Sequence, residues 1–133
     1  MNCLFCKIIK GEIPCYKIYE DDYTLAFLDI AKDVDGHTLV IPKKHFDNLL
    51  DCDQETLNHV MNTVQLISNH YINHCGFSGI NLINNNGTSA EQAINHLHIH
   101  IIPRKHSFGG FELSTGIYVS SIEPEDIAKK IKF

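Results

Sequence analysis

Three histidines alternate with apolar residues in the segment His96-Leu97-His98-Ile99-His100. Because alternate side chains of a β-strand share a face, the spacing predicts the three imidazoles on one face and the apolar side chains in the core. Such a row is typical of two chemistries: metal binding, or attack on phosphorus by one imidazole, with a neighbouring imidazole as proton donor. The three histidines could also form a polar strand face that is simply exposed to solvent, but such strict alternation is unusual for that kind of face.

A second group of candidate ligands is the pair Cys3-x-x-Cys6 near the start of the chain. With five cysteines in all, a complete disulfide framework is not expected. In a reducing compartment, a CxxC pair indicates half of a zinc site or a redox pair. A redox pair usually belongs to a βαβ pattern, which is absent here, and a zinc site needs two further ligands. Two buried free thiols are the third interpretation.

Bulk composition restricts the possible partners. The 133 residues fit one domain, and the net charge of −5 argues against a nucleic-acid-binding protein, although not against a small phosphate ligand. The N-terminal residues lack the pattern of a signal peptide, and no apolar run has the length needed to span a membrane. We therefore expect a cytosolic protein with reduced cysteines and no membrane partner.

The elements before the histidine row are short. Apolar spacing predicts a helix over residues 5–11, and β-rich runs predict strands at 16–19, 24–28 and 37–41. Pro42 is expected to end the third strand.

A longer helix is predicted over residues 53–75, with Asp53 as N-cap and Gly76 as the C-terminal stop. Its apolar positions have helical spacing: Leu57, Val60, Met61, Val64, Ile67, Tyr71 and Cys75. Two further strands are predicted, at 79–83 and at 96–102, with a loop at 84–87 after the first and Pro103 at the end of the second. Residues 104–122 are expected to be irregular except for a short strand at 117–119, and a helix opens at 123–125. Together they predict an α+β fold, an antiparallel sheet with one long helix and short terminal helices.

The chain also resembles a known family. Residues 96–102 resemble the signature of the HIT (histidine triad) superfamily, and four more blocks in the same order resemble its Hint branch: residues 3–6, 10–14, 26–30 and 36–45. The resemblance runs from Cys3 to about Arg104, while residues 105–133 are not covered. It implies the HIT-like fold and a homodimer.

The resemblance implies a hydrolase or nucleotidyl transferase that acts on purine nucleoside phosphoramidates or similar phosphoanhydrides. His98 would be the nucleophile that forms a nucleotidyl-histidine. His100, His37 and Asn85 would bind the phosphate, and no organic cofactor is implied. Taken alone, His37 is equally compatible with a core histidine, and Asn85 with a left-handed turn.

Other implied residues would bind the rest of the nucleotide. Asp29 would accept both ribose hydroxyls, although in isolation it is also typical of a strand-end turn. The positions that match the purine slot are Phe5, Ile8, Ile13, Phe27 and Ile30. Gln92 and Ala93 match nucleotide-contacting positions just before the histidine row. Without the family resemblance, apolar residues of these types would more often lie in the hydrophobic core than in a base-binding slot.

In members with the same CxxC pair, the resemblance implies a closed structural zinc site formed by Cys3, Cys6, His45 and His96. His96 would then be a metal ligand and not a catalytic base. Structural zinc typically has four ligands of this kind.

The segment before the histidine row departs from the family pattern. Glu91 replaces a glycine, and Ala93 replaces a serine whose hydroxyl contacts phosphate in many members. Loss of one such donor weakens transition-state binding by a few kcal/mol, and a glutamate at positive φ costs about 1 kcal/mol or more. Three functional classes therefore stay open: the enzyme, a protein in which the three histidines hold a catalytic metal, and a nucleotide-binding module with weak turnover.

Overall fold

The computed structural model describes residues 2–30, 34–105 and 123–133. In chain order the elements are α1 (Leu4–Ile9), β1 (Lys17–Glu20), β2 (Thr24–Leu28), β3 (Thr38–Pro42), α2 (Gln54–His74), β4 (Gly79–Ile83), a 3-10 helix (Thr88–Ala90), β5 (Ile99–Arg104) and α3 (Pro124–Ile131). The strands form one sheet in the order β1-β2-β3-β5-β4, and every neighbouring pair is antiparallel. The predicted α+β class is confirmed.

The sheet is covered on both faces. On one face, alternate residues of β2, β3 and β5 pack with α2 and α3; the buried members of this core include Ala26, Val40, Ile99, Ile67 and Tyr71. On the other face, the intervening residues of β2 and β3 pack with α1, in a smaller cluster that includes Phe5, Phe27 and Leu39. Every residue of β2 and β3 is therefore buried.

Helix α2 matches the predicted range to within one residue at each end, with Asp53 and Cys75 as its caps. The predicted apolar stripe is wrong at Met61, which is 40% exposed, whereas Thr63 is buried. Thr63 is accommodated on the core side because its hydroxyl lies 2.7 Å from Thr24 Oγ1, and a paired hydroxyl avoids most of the cost of burial. No helix within the described residues is long and apolar enough to cross a bilayer.

The last strand differs most from the prediction. β5 begins at Ile99, three residues later than expected, and Pro103 lies inside it instead of ending it. The ladder with β3 contains only the pairs from Val40↔Ile99 to Thr38↔Ile101. Pro103 pairs with Ile80 of β4 alone, so its missing N–H interrupts no bond to β3.

The other boundaries shift by small amounts. α1 begins at Leu4 and ends at Ile9, β1 runs one residue later than predicted, and β3 includes Pro42. The 3-10 helix falls in a segment for which no element was predicted. The predicted short strand at 117–119 lies outside the described residues.

The C-terminal helix packs against the turn that precedes His37. The His70 ring donates from Nε2 to the carbonyl of Ile131 over 2.8 Å and stacks on Phe133 with ring centroids 4.0 Å apart. Gly36 has φ +84°, and a Cβ built there would lie 3.0 Å from Pro103 Cγ and 3.5 Å from Ile131 Cδ1. This turn therefore requires glycine for its conformation and for its close packing.

Replacing Gly36 by alanine tests this packing. Gly36→Ala should lower the free energy of unfolding by about 2–4 kcal/mol, because overpacking adds to the strain of positive φ. Gly76→Ala is a matched control, since Gly76 has φ +80° and a Cβ there would meet nothing within 4 Å; we expect a loss of about 1 kcal/mol. Urea unfolding measures both, and equal losses would contradict the packing argument.

Candidate active site

His98 is held in a single orientation and protonation state. Its Nδ1 lies 2.8 Å from the carbonyl oxygen of His96; because a carbonyl only accepts, Nδ1 carries the proton and Nε2 has the lone pair. His98 is 6% exposed, and burial lowers its pKa below the ordinary value, although the bond to His96 and the charge of Asp29 act in the opposite direction. The ring is thus neutral near pH 7, with Nε2 available as a nucleophile.

His37 and His100 form a second imidazole pair beside it. His37 Nε2 lies 2.9 Å from His100 Nδ1, and Asp29 Oδ2 lies 3.8 Å from His37 Nε2. The rings of His98 and His100 have centroids 5.0 Å apart. β3 and β5 bring these residues together, because His100 pairs with Leu39, two residues after His37. The predicted catalytic histidines therefore lie in one cluster with Asp29.

The predicted base-slot residues do not all share one environment. Phe5 packs edge-on against His98 at 5.2 Å and against Phe27 at 5.5 Å between ring centroids. Ile8 packs against this cluster, and Ile13 is half-buried. Ile30, in contrast, is 71% exposed.

The four predicted metal ligands lie together. Ligand atoms of Cys3, Cys6, His45 and His96 are all within 4.8 Å of one another. His45 Nδ1 and His96 Nδ1 are 3.1 Å apart. Cys6 Sγ lies 3.3 Å from His45 Nδ1 and 3.6 Å from His96 Nδ1, and Cys3 Sγ lies 3.4 Å from His96 Nδ1. A tetrahedral zinc ion requires edges of about 3.3 Å between nitrogens and about 3.6 Å between sulfur and nitrogen.

The outer bonds of the two imidazoles favour a cation between them. His96 Nε2 lies 2.8 Å from the carbonyl of Pro42, and His45 Nε2 lies 3.0 Å from an Asp47 carboxylate oxygen. Both acceptors require Nε2–H, so the two Nδ1 atoms face each other with lone pairs. Burial lowers the pKa of His96 to about 4, which keeps that ring neutral. Facing lone pairs are stabilised by a shared metal ion, and the outer acceptors orient both ligands.

The histidine row therefore divides between two sites. His96 is fully buried and uses one nitrogen on the cysteine cluster and the other on Pro42. It cannot join His98 and His100 around one metal ion, so the geometry does not support the three-histidine metal site that the sequence left open. The three imidazoles, which alternation predicts on one face, therefore do not form one group, because His96 lies with the cysteines.

The asparagine loop fixes the main chain of His98. Leu49 N–H donates to Asn86, Asn86 donates to Asn84, and Asn84 donates to the carbonyl of His98, over 2.9, 2.7 and 3.0 Å. Sequence reasoning selected Asn85 and missed its two neighbours, for which the only signal was the run of three amides. Asn85 is half-buried, and its φ is not positive, which excludes the left-handed turn.

The Gln92 side chain bonds to four groups of the protein. Its amide nitrogen donates to the carbonyls of Asp47 and Ile94 over 2.6 and 2.9 Å. Its amide oxygen accepts from Gly87 N–H at 2.8 Å and from Asn48 at 3.3 Å. These four bonds use the whole hydrogen-bonding capacity of the amide, so no group of the side chain is left for a nucleotide.

Glu91 and Ala93 are both exposed. Glu91 has φ 68° and ψ 28°, in the left-handed region, and it is the single non-glycine residue with positive φ in the described part of the chain. The glutamate therefore occupies a conformation that favours glycine, and its exposed side chain need not face the phosphate.

Comparison with known proteins agrees with this geometry. The HIT domain family model matches residues 10–107. The chain is 42% identical to "Protein hit" of Bacillus subtilis over 126 residues, which cover 95% of this chain and 87% of that protein. The chain belongs to the HIT domain family. The resemblance seen in the sequence is thereby confirmed.

Two further HIT proteins bear on the chemistry. Adenosine 5'-monophosphoramidase hnt1 of Schizosaccharomyces pombe is 38% identical over 137 residues, which cover 99% of this chain and all of that protein. The crystal structure of a Zn-bound histidine triad family protein from Mycobacterium smegmatis superposes with a TM-score of 0.85 at 34% identity; the match covers 99% of this chain and 91% of that one.

Metal analysis of purified variants tests the cysteine cluster. We expect one zinc ion per chain, lost in Cys6→Ser because a thiolate ligand is removed, and retained in His98→Asn because His98 is no ligand. Cys52→Ser is a matched control, since the Cys52 thiol contacts the carbonyl of Asp53 and lies outside the cluster. Loss of zinc from His98→Asn would overturn the assignment.

Substitution of Glu91 tests the backbone strain. Glu91→Gly should raise the free energy of unfolding by about 0.5–1 kcal/mol, because glycine adopts positive φ without a Cβ clash. Glu91→Ala removes the same charge but keeps the Cβ, and it should bring no such gain. Thermal or urea unfolding of the two variants separates strain from charge; an equal gain in both would assign the effect to charge.

Proposed function

We propose that the protein hydrolyses purine nucleoside phosphoramidates or related phosphoanhydrides through a covalent nucleotidyl intermediate on His98. The observation that carries the proposal is the bond from His98 Nδ1–H to the His96 carbonyl, which leaves Nε2 unprotonated in a buried site. Support also comes from the adenosine 5'-monophosphoramidase to which the chain is similar.

The reaction would proceed in two displacements. His98 Nε2 attacks the α-phosphorus, the P–N bond to the leaving amine breaks, and the amine departs with a proton. Water then attacks the phosphorus, the bond to Nε2 breaks, and the nucleoside monophosphate leaves. The imidazoles of His37 and His100 lie beside His98 and are placed to donate to phosphate oxygen and to the leaving group.

The rest of the nucleotide would extend from the histidines towards α1. We assign the ribose hydroxyls to Asp29, whose side chain is 25% exposed and lies beside His37. Asn85 is assigned to the phosphate, and the purine to the cluster that contains Phe5 and Phe27. Gln92 and the bonded asparagines hold the surrounding chain in place.

The metal in this proposal has a structural role. Cys3, Cys6, His45 and His96 would hold zinc in a closed tetrahedral site without an open position for substrate. Bound there, zinc supplies a fixed link between α1 and the chain before β5. No step of the reaction uses it.

Trapping the intermediate tests the mechanism. Incubation with an adenosine phosphoramidate and rapid acid-free quench should give a labile adduct of one nucleotide on the peptide that contains His98. His98→Asn should remove the adduct and lower kcat by at least about 10³-fold, because the nucleophile is lost. His59→Asn is a control for a histidine outside the cluster, since its ring stacks on Tyr23 in another part of the molecule. Tight monophosphate binding without turnover would favour a nucleotide-binding module instead.

We also propose that the protein is a homodimer. Strand β4 is at the edge of the sheet and has Leu82 48% exposed. Met61 and Ile72 of α2 are 40% and 39% exposed, and the Ser68 hydroxyl between them is buried without a hydrogen-bond partner. Residues 61, 68 and 72 share one side of a helix by their spacing. An apolar edge strand and an apolar helix side favour burial against a second copy.

A charge on the edge strand tests the dimer. Leu82→Lys should convert the protein to monomer, because a lysine at an edge strand disfavours pairing. Leu50→Lys is a matched control at a leucine that is 81% exposed, and it should leave the mass unchanged. Sedimentation equilibrium measures both variants. A monomeric wild-type protein at micromolar concentration would exclude the proposal.

A further inference from the structure

A second group of possible metal ligands lies in the histidine cluster itself. Asp29, His37 and His100 offer one carboxylate oxygen and two imidazole nitrogens within 4.8 Å of one another. His37 is buried, and the other two are half-buried. The set shares no residue with the cysteine cluster and contains only one histidine of the His96–His100 row.

The distances suit a metal with ligands at right angles. Two nitrogens at about 2.05 Å from one ion are about 2.9 Å apart when they are cis in an octahedral site. His37 Nε2 and His100 Nδ1 are 2.9 Å apart. Two ligands of one such ion can be at most about 4.2 Å apart, when they are trans. Asp29 Oδ2 is 3.8 Å from His37 Nε2, within the trans limit, and a side-chain movement of about 1 Å would bring it to the cis separation that ligands on one side of an ion require.

We propose that Asp29, His37 and His100 form a second, inhibitory site for a divalent first-row transition cation. Two imidazoles and one carboxylate on one side of an ion are a known donor set for such metals, and water fills the remaining positions. The site has no thiolate, so it binds more weakly than the cysteine cluster. Both ligating nitrogens must present a lone pair to the ion, so the imidazole that carries the shared proton changes tautomer and holds that proton on its other ring nitrogen.

The inhibitory part rests on the proposed function. The ion occupies the groups that we assign to the ribose and the phosphate, so metal and nucleotide exclude each other. Nucleophilic attack by His98 then lacks the neighbouring donors. A rise in free transition metal would switch off the enzyme without touching the structural zinc.

Cobalt titration of the zinc-loaded, full-length protein tests the site directly. Co²⁺ bound to nitrogen and oxygen in an octahedral site has weak visible absorption, whereas Co²⁺ that displaces zinc from cysteines has intense tetrahedral bands and thiolate charge transfer. We expect one equivalent of Co²⁺ with the weak spectrum, detected also by isothermal titration calorimetry. Failure to bind Co²⁺ beyond the cysteine site, or thiolate bands for all bound Co²⁺, would overturn the proposal.

A matched pair of variants identifies the ligands. Asp29→Asn should weaken Co²⁺ binding at least about 10-fold, because the anionic donor is lost. Asp22→Asn, at an exposed aspartate in the turn between β1 and β2, should bind Co²⁺ as the wild type does. Equal zinc content and thermal midpoint show that both variants fold. Undiminished binding by Asp29→Asn would remove Asp29 from the site and overturn the assignment.

Competition separates this proposal from the proposed function. Adenosine monophosphate should raise the apparent Kd of the wild-type protein for Co²⁺, and Co²⁺ should raise the apparent KM for an adenosine phosphoramidate. Co²⁺ binding that monophosphate leaves unchanged would overturn the shared site. A protein that binds Co²⁺ as expected but never hydrolyses a phosphoramidate would disprove the proposed function and leave the metal site standing.

Discussion

The candidate site depends on the fixed position of His96. Its ring is fully buried and contacts the cysteine cluster through Nδ1 and the Pro42 carbonyl through Nε2. Its own carbonyl accepts the proton of His98 Nδ1 and thereby selects the nitrogen that His98 presents. An imidazole buried without such partners would cost several kcal/mol. The residue that orients the His98 ring is therefore also the one that joins α1 to the chain before β5.

The two faces of the sheet carry different parts of the protein. One face packs against α2 and α3 in the larger core, and the other carries α1, the cysteine cluster and the cluster of His37, His98 and His100. The two faces meet at the turn before β3, where Gly36 lies against the C-terminal helix and His37 enters the histidine cluster. Tyr71 of α2 adds a bond at this point, because its hydroxyl donates to Thr38 over 2.6 Å. Contacts with α2 and α3, on the face that carries the larger core, therefore fix the position of His37.

The segment between β4 and β5 is held by side-chain amides instead of a strand ladder. Gln92 bonds four partners, and Asn84 and Asn86 carry a chain of bonds from Leu49 to the His98 carbonyl. Such a network can tolerate the left-handed Glu91, because the surrounding bonds determine the path of the chain. His98 is consequently positioned by irregular backbone with dense hydrogen bonding, which favours a single geometry.

Patterns in the sequence were sufficient for the bounds of α2, β2 and β4, which agree with the predicted ranges to within one residue. The motifs alone also selected the cysteine pair and the histidine row, because their residue types have few other uses at that spacing. Alternation by itself could not divide the row between two sites. Only the family resemblance implied that His96 joins the cysteines, which lie 90 and 93 residues away in the sequence. The sequence also could not show that Gln92 bonds only to the protein, or that Pro103 lies within a strand, because both depend on which neighbours the folded sheet provides. The local sequence pattern identified the residues whose side chains can bind a metal or react, and tertiary packing decided which of them lie together in one site.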